Sequence, residues 1–140
     1  MADIGTIRGA LASRITAGTG LRTLPEARDL ISPPVAVVLP GTPLVHYGDT
    51  LDGALTINLR VLMLISDAPP NEKVQRALDA YLGIGGGTTA ASIPAALMAD
   101  STLSGAVQWA IPIAVSAYSR IDYAGVDYFG ARLDVQIGAI

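Results

Sequence analysis

Few side chains in this sequence are suited to covalent or acid–base chemistry. His46 is the only histidine among 140 residues, and the chain has no cysteine. A serine hydrolase needs a histidine held between a hydroxyl and a carboxylate, and no Gly-x-Ser-x-Gly motif accompanies His46. Zinc needs several nitrogen or sulfur ligands, which these residues cannot supply within one chain. We therefore expect no catalytic residue and no metal site, and we interpret His46 as an exposed or interface histidine.

Two pairs of aspartates could in principle serve acid–base catalysis or bind a hard cation. They are Asp49 with Asp52, and Asp122 with Asp127. Each pair lies among turn-forming residues, where aspartate commonly bonds to its own backbone. We therefore favour a structural role for both pairs.

The glycine-rich run at residues 83–89, GIGGGTT, is the one segment that suggests phosphate binding. A Walker-type loop follows a strand and ends in Gly-Lys-Ser/Thr, whereas this run follows a predicted helix and contains no lysine. A flexible connection between two helices is the favoured interpretation. We therefore expect that the chain binds no cofactor and is not an enzyme.

The composition favours a protein that associates with itself. Hydrophobic residues make up 51% of the chain, charged residues 15%, and the mean hydropathy is +0.47. A subunit that buries surface against its own copies can carry fewer charges than a free monomer. The net charge of −3 argues against a nucleic-acid binder. No apolar stretch approaches the roughly 20 residues of a membrane span, and the start of the chain lacks signal-peptide features, so we expect assembly in a cytoplasm.

The sequence predicts three helices. The first places Ile4, Ile7, Leu11 and Ile15 on one stripe, with Asp3 as its N-cap and Gly18 and Gly20 at its end. The second starts after residues 69–71 and ends at Gly83, and Ser92 caps a short third helix.

Four strands are predicted in the remaining sequence. Residues 35–39 form a short buried strand closed by Pro40 and Gly41, and residues 41–53 form an exposed loop or hairpin tip. Apolar residues alternate over residues 55–65, then over residues 107–117 and 129–137, which predicts a strand and a long C-terminal antiparallel hairpin. Pro112 indicates an edge strand or a bulge. The whole is a single α+β domain, residues 1–140, with a mainly antiparallel sheet and two to three helices on one face.

Six segments, taken in order, resemble the tail-terminator (tail-completion) proteins of long-tailed siphophages and prophages. They are IGTIRGAL at residues 4–11, SPPVAVVLPG at 32–41, LDAYL at 78–82, IPAAL at 93–97, DSTLSG at 100–105 and YSRIDYAGVDYFG at 118–130. The resemblance covers most of the chain, and its motifs are structural signatures without invariant chemistry.

The resemblance implies a homohexameric ring at the head-proximal end of the tail tube, in the virion. Such a ring stops tube growth and joins the tail to the head-completion (connector) protein. Its partners would be itself, the tail tube protein and that connector, with genome DNA passing through the lumen without sequence-specific binding. An acidic subunit suits that passage, because like charge opposes adsorption.

Two alternatives stay open at the level of sequence. One is another head-to-tail connector or neck protein of the same virion, and the other is a small cytoplasmic ligand-binding domain or enzyme. In each phage interpretation, exposed turns with aromatic and charged residues are expected to contact partners. The predicted interface residues are His46, Tyr47, Asp49, Asp52, Arg120, Tyr123 and Tyr128.

Overall fold

The computed structural model describes residues 3–26, 33–47, 55–66, 72–83 and 92–139. The elements, in chain order, are α1 (Ile4–Thr19), β1 (Thr23–Leu24), β2 (Val35–Tyr47), β3 (Leu55–Ser66), α2 (Glu72–Leu82), α3 (Ile93–Ala99), β4 (Trp109–Tyr123) and β5 (Val126–Ala139). The strands form one sheet in the order β1-β2-β3-β5-β4. Among the strand pairs of the described residues, only β1–β2 is parallel. The α+β class with a mainly antiparallel sheet and a long C-terminal hairpin is confirmed.

Helix α1 forms where the apolar stripe and its cap predicted it. The Asp3 carboxylate accepts a 2.7 Å hydrogen bond from the Thr6 amide, and this bond lowers the pKa of Asp3. The helix ends at Gly20, whose amide donates to the Thr16 carbonyl. Its buried residues include Ile7, Leu11 and Ile15. The predicted stripe therefore faces the protein interior.

The other two helices are shorter and lie on the same side of the sheet. Helix α2 buries Leu78 and Leu82, and its exposed face carries the Glu72–Arg76 ion pair. Helix α3 begins at Ser92, whose hydroxyl accepts from the Ala95 amide, and it buries Ile93 and Leu97. Gly83 follows α2, whereas the rest of the predicted glycine-rich connection lies outside the described residues.

The main core lies between the three helices and one face of the sheet. Alternate residues of β3 and β5 point into it, because side chains in a strand alternate between faces. Its sheet residues include Ile57, Leu59, Val61 and Met63 on β3, and Leu133, Val135 and Ile137 on β5. The period-2 alternation identified these residues correctly.

The opposite face of the sheet carries a smaller apolar cluster, which we call the second cluster. It consists of Leu24, Val35, Val37, Leu62, Leu64 and Tyr128, with Leu39, Ile121 and Tyr123 packed at its margin. The sheet is thus apolar on both faces at this end. Towards the other end the same face carries polar residues, such as Arg60 and Asp134.

Strand β2 is longer than the sequence predicted. The expected strand over residues 35–39 continues through Pro40 and Gly41 to Tyr47, so that residues 41–47 are strand and not loop. The register against β3 shifts between Pro40 and Val45, as is common where a proline interrupts the strand pairing. Residues 48–54, the rest of the predicted loop, lie outside the described residues. A second addition is the short strand β1, which the proline-rich stretch before β2 did not predict.

Strand β4 lies at the edge of the sheet and has the irregularity that Pro112 predicted. Its register against β5 shifts between Pro112 and Ala114, and again between Ser116 and Ser119. Ala110 belongs to the main core, but Ile111, Ile113 and Val115 are exposed. Ala110 pairs with Ile137 of the main core, so Ile111, which pairs with Gln136, lies on the sheet face away from the helices. After the first register shift Val115 pairs with Leu133 and lies on the helix face.

Candidate functional site: the hairpin tip and the sheet edges

The most prominent candidate surface is the hairpin tip, which we define as residues 120–127. The last paired residue of β3 is Ser66, opposite Phe129, so residues 126–128 extend past the end of β3. Within the described part of the chain, the tip is a two-stranded ribbon closed by Ala124 and Gly125. Both of these residues have positive φ angles, 53° and 83°, as a type I′ hairpin turn requires. The short turn fixes the tip on a stiff ribbon.

The hairpin tip carries exposed charges of both signs. Asp122 and Asp127 face each other across the two strands, and both are exposed. Like charges in this position are unfavourable for the hairpin itself. The guanidinium of Arg120 donates a 3.2 Å hydrogen bond to the Asp127 carbonyl. The tip therefore presents two carboxylates and a cation that hydrogen-bonding groups of another protein can reach.

The root of the hairpin is apolar and packs into the protein. Tyr128 is only 7% exposed and lies in the second cluster, with Tyr123 half-buried at the margin. Among the predicted interface residues on the hairpin, Arg120 is thus exposed, Tyr123 is partly accessible and Tyr128 packs inward. Tyr123 and Tyr128 therefore hold the hairpin tip against the second cluster more than they form its exposed surface.

Tyr118 connects β4 to helix α2 at the second register shift, between Ser116 and Ser119. Its hydroxyl donates a 2.7 Å hydrogen bond to an Asp79 carboxylate oxygen, and its ring meets Phe129 edge-on with centroids 5.5 Å apart. Burial, together with the hydrogen bond to Asp79 and the charge of that carboxylate, raises the pKa of Tyr118 to about 12. The contact joins α2 to the edge strand directly beneath the hairpin tip.

This contact predicts a specific pH dependence of stability. The phenol has an ordinary pKa near 10, so the stabilisation by neutral Tyr118 is complete below pH ~10 and is lost as the pH rises towards ~12. We expect the denaturation midpoint of wild type to fall more steeply between these limits than that of Tyr118→Phe. Urea unfolding of both proteins at pH 8 and pH 11 measures this difference. Equal losses in the two proteins would contradict the assignment.

Two of the remaining predicted interface residues, His46 and Tyr47, belong to the part of the sheet opposite β4. His46 is exposed on β2 and pairs with Thr56, and Tyr47 pairs with Leu55. Three strand spacings, or about 14 Å, separate β2 from β4. The structure therefore divides the predicted residues between two separate edges. Asp49 and Asp52 lie outside the described residues.

A shallow depression on the polar part of the sheet escaped the sequence reasoning. Arg60 Nε lies 3.6 Å from Asp134 Oδ1, and the depression of about 190 Å³ around them is also lined by Asn58, Gln136 and Gly41. The polar residues that alternate with the apolar ones on β3 and β5 were the sequence feature that could have indicated it. Because both side chains of the ion pair are more than a third exposed, the pair contributes little to stability.

The described residues contain no group of three or more histidine, cysteine, aspartate or glutamate side chains that could hold a metal ion. None of the described helices has the length and apolar character needed to cross a membrane. The surfaces that the described residues do form are the hairpin tip and two parts of the sheet, β4 and the end of β2. No protein-family model matches this chain, and no curated protein shows significant similarity to it.

Proposed function

We propose that this chain is a structural phage protein that forms a ring at the head-proximal end of the tail tube. In this role it terminates tube polymerisation and joins the tail to the head-completion proteins. The hairpin tip is the observation that carries the proposal, since it projects past β3 and presents exposed charges on a stiff ribbon. The resemblance of six ordered segments to tail terminators supplies the identity of the partner.

The rest of the molecule is consistent with a role in assembly. Its accessible apolar side chains are concentrated on sheet edges, where contacts with other chains form readily. Docking through the hairpin tip would orient each copy in the same way, because the tip is fixed to the core by Tyr128 and to α2 by Tyr118. A rigid projecting element loses little conformational entropy on binding.

The test uses two double variants that each remove one positive and one negative exposed charge. The tip variant combines Arg120→Ser with Asp122→Ser, and the control combines Arg76→Ser with Glu72→Ser on α2, whose side chains are 77% and 74% exposed. Tail tubes assembled from the tube protein of the same phage are elongated in the presence of each protein. Tube lengths are measured by negative-stain electron microscopy.

Wild type and the control variant should stop elongation at the same concentration. The tip variant should need at least about tenfold more protein, which corresponds to the loss of about 1.4 kcal/mol of binding. Circular dichroism confirms that all three proteins are folded. Tubes that elongate normally with wild-type protein, or a tip variant as effective as wild type, would contradict the proposal.

A further inference from the structure

Four of the seven exposed large hydrophobic side chains among the described residues lie on β4: Ile111, Ile113, Val115 and Tyr118. A fifth, Leu44, lies on β2 near the opposite edge of the sheet. The other two are Met98 on α3 and Val126 beside the hairpin turn. The Tyr118 hydroxyl reaches Asp79 of helix α2, whereas the other four side chains on β2 and β4 are between 37% and 54% exposed. The distribution marks the two opposite edges as surfaces that benefit from burial.

Both edges also offer backbone groups for pairing. Among the described strands, β4 has β5 as its only neighbour, and β1 covers β2 only at Ala36 and Val37. Open edges of this kind are usually protected by lysine, by proline or by very short strands. On β2, Pro40 and Pro43 have no backbone N–H to donate, and residues 44–47 have no described strand beside them on the side away from β3. On β4 the one proline, Pro112, lies near the start of the strand.

The two edges are compatible in charge with each other. Residues 109–119 of β4 contain no charged side chain, and neither do residues 38–45 of β2. The chain as a whole has a net charge of −3, so two uncharged edges can meet without adding to the like-charge repulsion between copies. A second copy of this chain is therefore the occupant that suits both edges.

We propose that β4 of one copy pairs edge to edge with residues 44–47 of β2 in the next copy. Each copy then uses two different edges, and such head-to-tail contacts can close into a ring. Pairing of β4 with β4 about a two-fold axis would leave Leu44 of both copies exposed, so the head-to-tail arrangement covers more apolar surface. The inference rests on the proposed ring and identifies the contact between its subunits.

Single-cysteine variants test this contact cleanly, because the natural chain has no cysteine. Leu44→Cys is mixed in turn with Ile111→Cys, Ile113→Cys and Val115→Cys, and the mixtures are mildly oxidised. At least one mixture should yield a disulfide-linked dimer containing one chain of each kind, identified by mass spectrometry, because paired strands bring Cα atoms within disulfide reach. Met98→Cys, on the more exposed α3 position, is the control and should not cross-link to any of them.

The same edges are tested without covalent chemistry by lysine substitutions. Leu44→Lys and Val115→Lys should each raise the concentration needed for self-association at least tenfold, as measured by light scattering, while Met98→Lys leaves it unchanged. Unfolding midpoints show whether each variant is folded. A wild-type chain that is monomeric at all concentrations, or β4 cysteines that cross-link only with their own kind, would overturn the inference.

These outcomes can be separated from the fate of the proposed function. A chain that stops tube growth but fails to cross-link between edges loses the subunit contact and keeps its role. A chain that cross-links between edges but leaves tube growth unchanged keeps the contact and loses the role.

Discussion

Replacing Gly130 with alanine lowers the free energy of unfolding by about 3 kcal/mol, because a side chain at this position has no space. A Cβ there would overlap the Met63 carbonyl oxygen and lie 2.9 Å from the Met63 carbonyl carbon. These are backbone atoms of the neighbouring strand, so they cannot move without disturbing the register of β3. Gly130 lies where β3 and β4 both shift register against β5, and the close approach of β3 depends on it.

The matched control for this prediction is Gly9→Ala in the middle of α1. A Cβ at Gly9 would meet nothing within 4 Å, and alanine has the higher helix propensity, so we expect a gain of up to about 1 kcal/mol. Urea unfolding followed by far-ultraviolet circular dichroism measures both variants. A Gly130→Ala protein within about 0.5 kcal/mol of wild type would show that β3 and β5 do not approach this closely.

Truncating Tyr128 to alanine should also be strongly destabilising, by about 3 kcal/mol, because it removes a buried ring from the second cluster. Tyr128→Phe keeps the ring and should cost less than about 1 kcal/mol, since only the hydroxyl is lost. Val126→Ala, at an exposed position on the same strand, is the control and should change stability by no more than about 0.5 kcal/mol.

Tyr128 also distinguishes packing from partner contact at the hairpin. If the side chain anchors the tip from inside, Tyr128→Phe stops tube elongation as well as wild type does. A folded Tyr128→Phe protein that no longer acts on tubes would instead place the hydroxyl at the partner surface. The same tube-length measurement serves for both variants.

Much of the fold could be predicted because local patterns and tertiary contacts agree. The alternation on β3 and β5 identified the main-core residues, since both strands lie in the middle of the sheet beneath the helices. Asp3 and Ser92 were recognisable caps because their bonding is local to the helix start. The C-terminal hairpin followed from two alternating runs that are close together in the sequence.

The misses have a common cause in longer-range contacts. Pro40 and Gly41 normally end a strand, but the register shift and the edge position allow β2 to continue. The apolar alternation of β4 resembles that of a core strand, yet Ile111 lies on the sheet face away from the helices, which only its pairing with Gln136 shows. Tyr128 shares a face with Arg132 and Asp134, and its burial reflects a change along that face which period-2 reasoning cannot detect.

The candidate site was predictable in its residue types and less so in its arrangement. Arg120 and His46 are exposed, as expected of interface residues, but they belong to opposite edges of one sheet. Strand order is set by pairings between segments that are far apart in the chain, and these pairings cannot be read from a single sequence. Only the order β1-β2-β3-β5-β4 shows that the two groups of residues face different neighbours.

The apolar packing on both faces of the sheet near Leu62 and Leu64 has a consequence for how the molecule comes apart. Amide hydrogens at this sealed centre should exchange with solvent only on global unfolding, whereas those of the outer strands exchange through small openings of lower free energy. Local unfolding of the outer strands is then the first step towards denaturation that costs the least free energy. A neighbouring chain bound to both outer strands would suppress this local unfolding and lengthen the lifetime of the folded state.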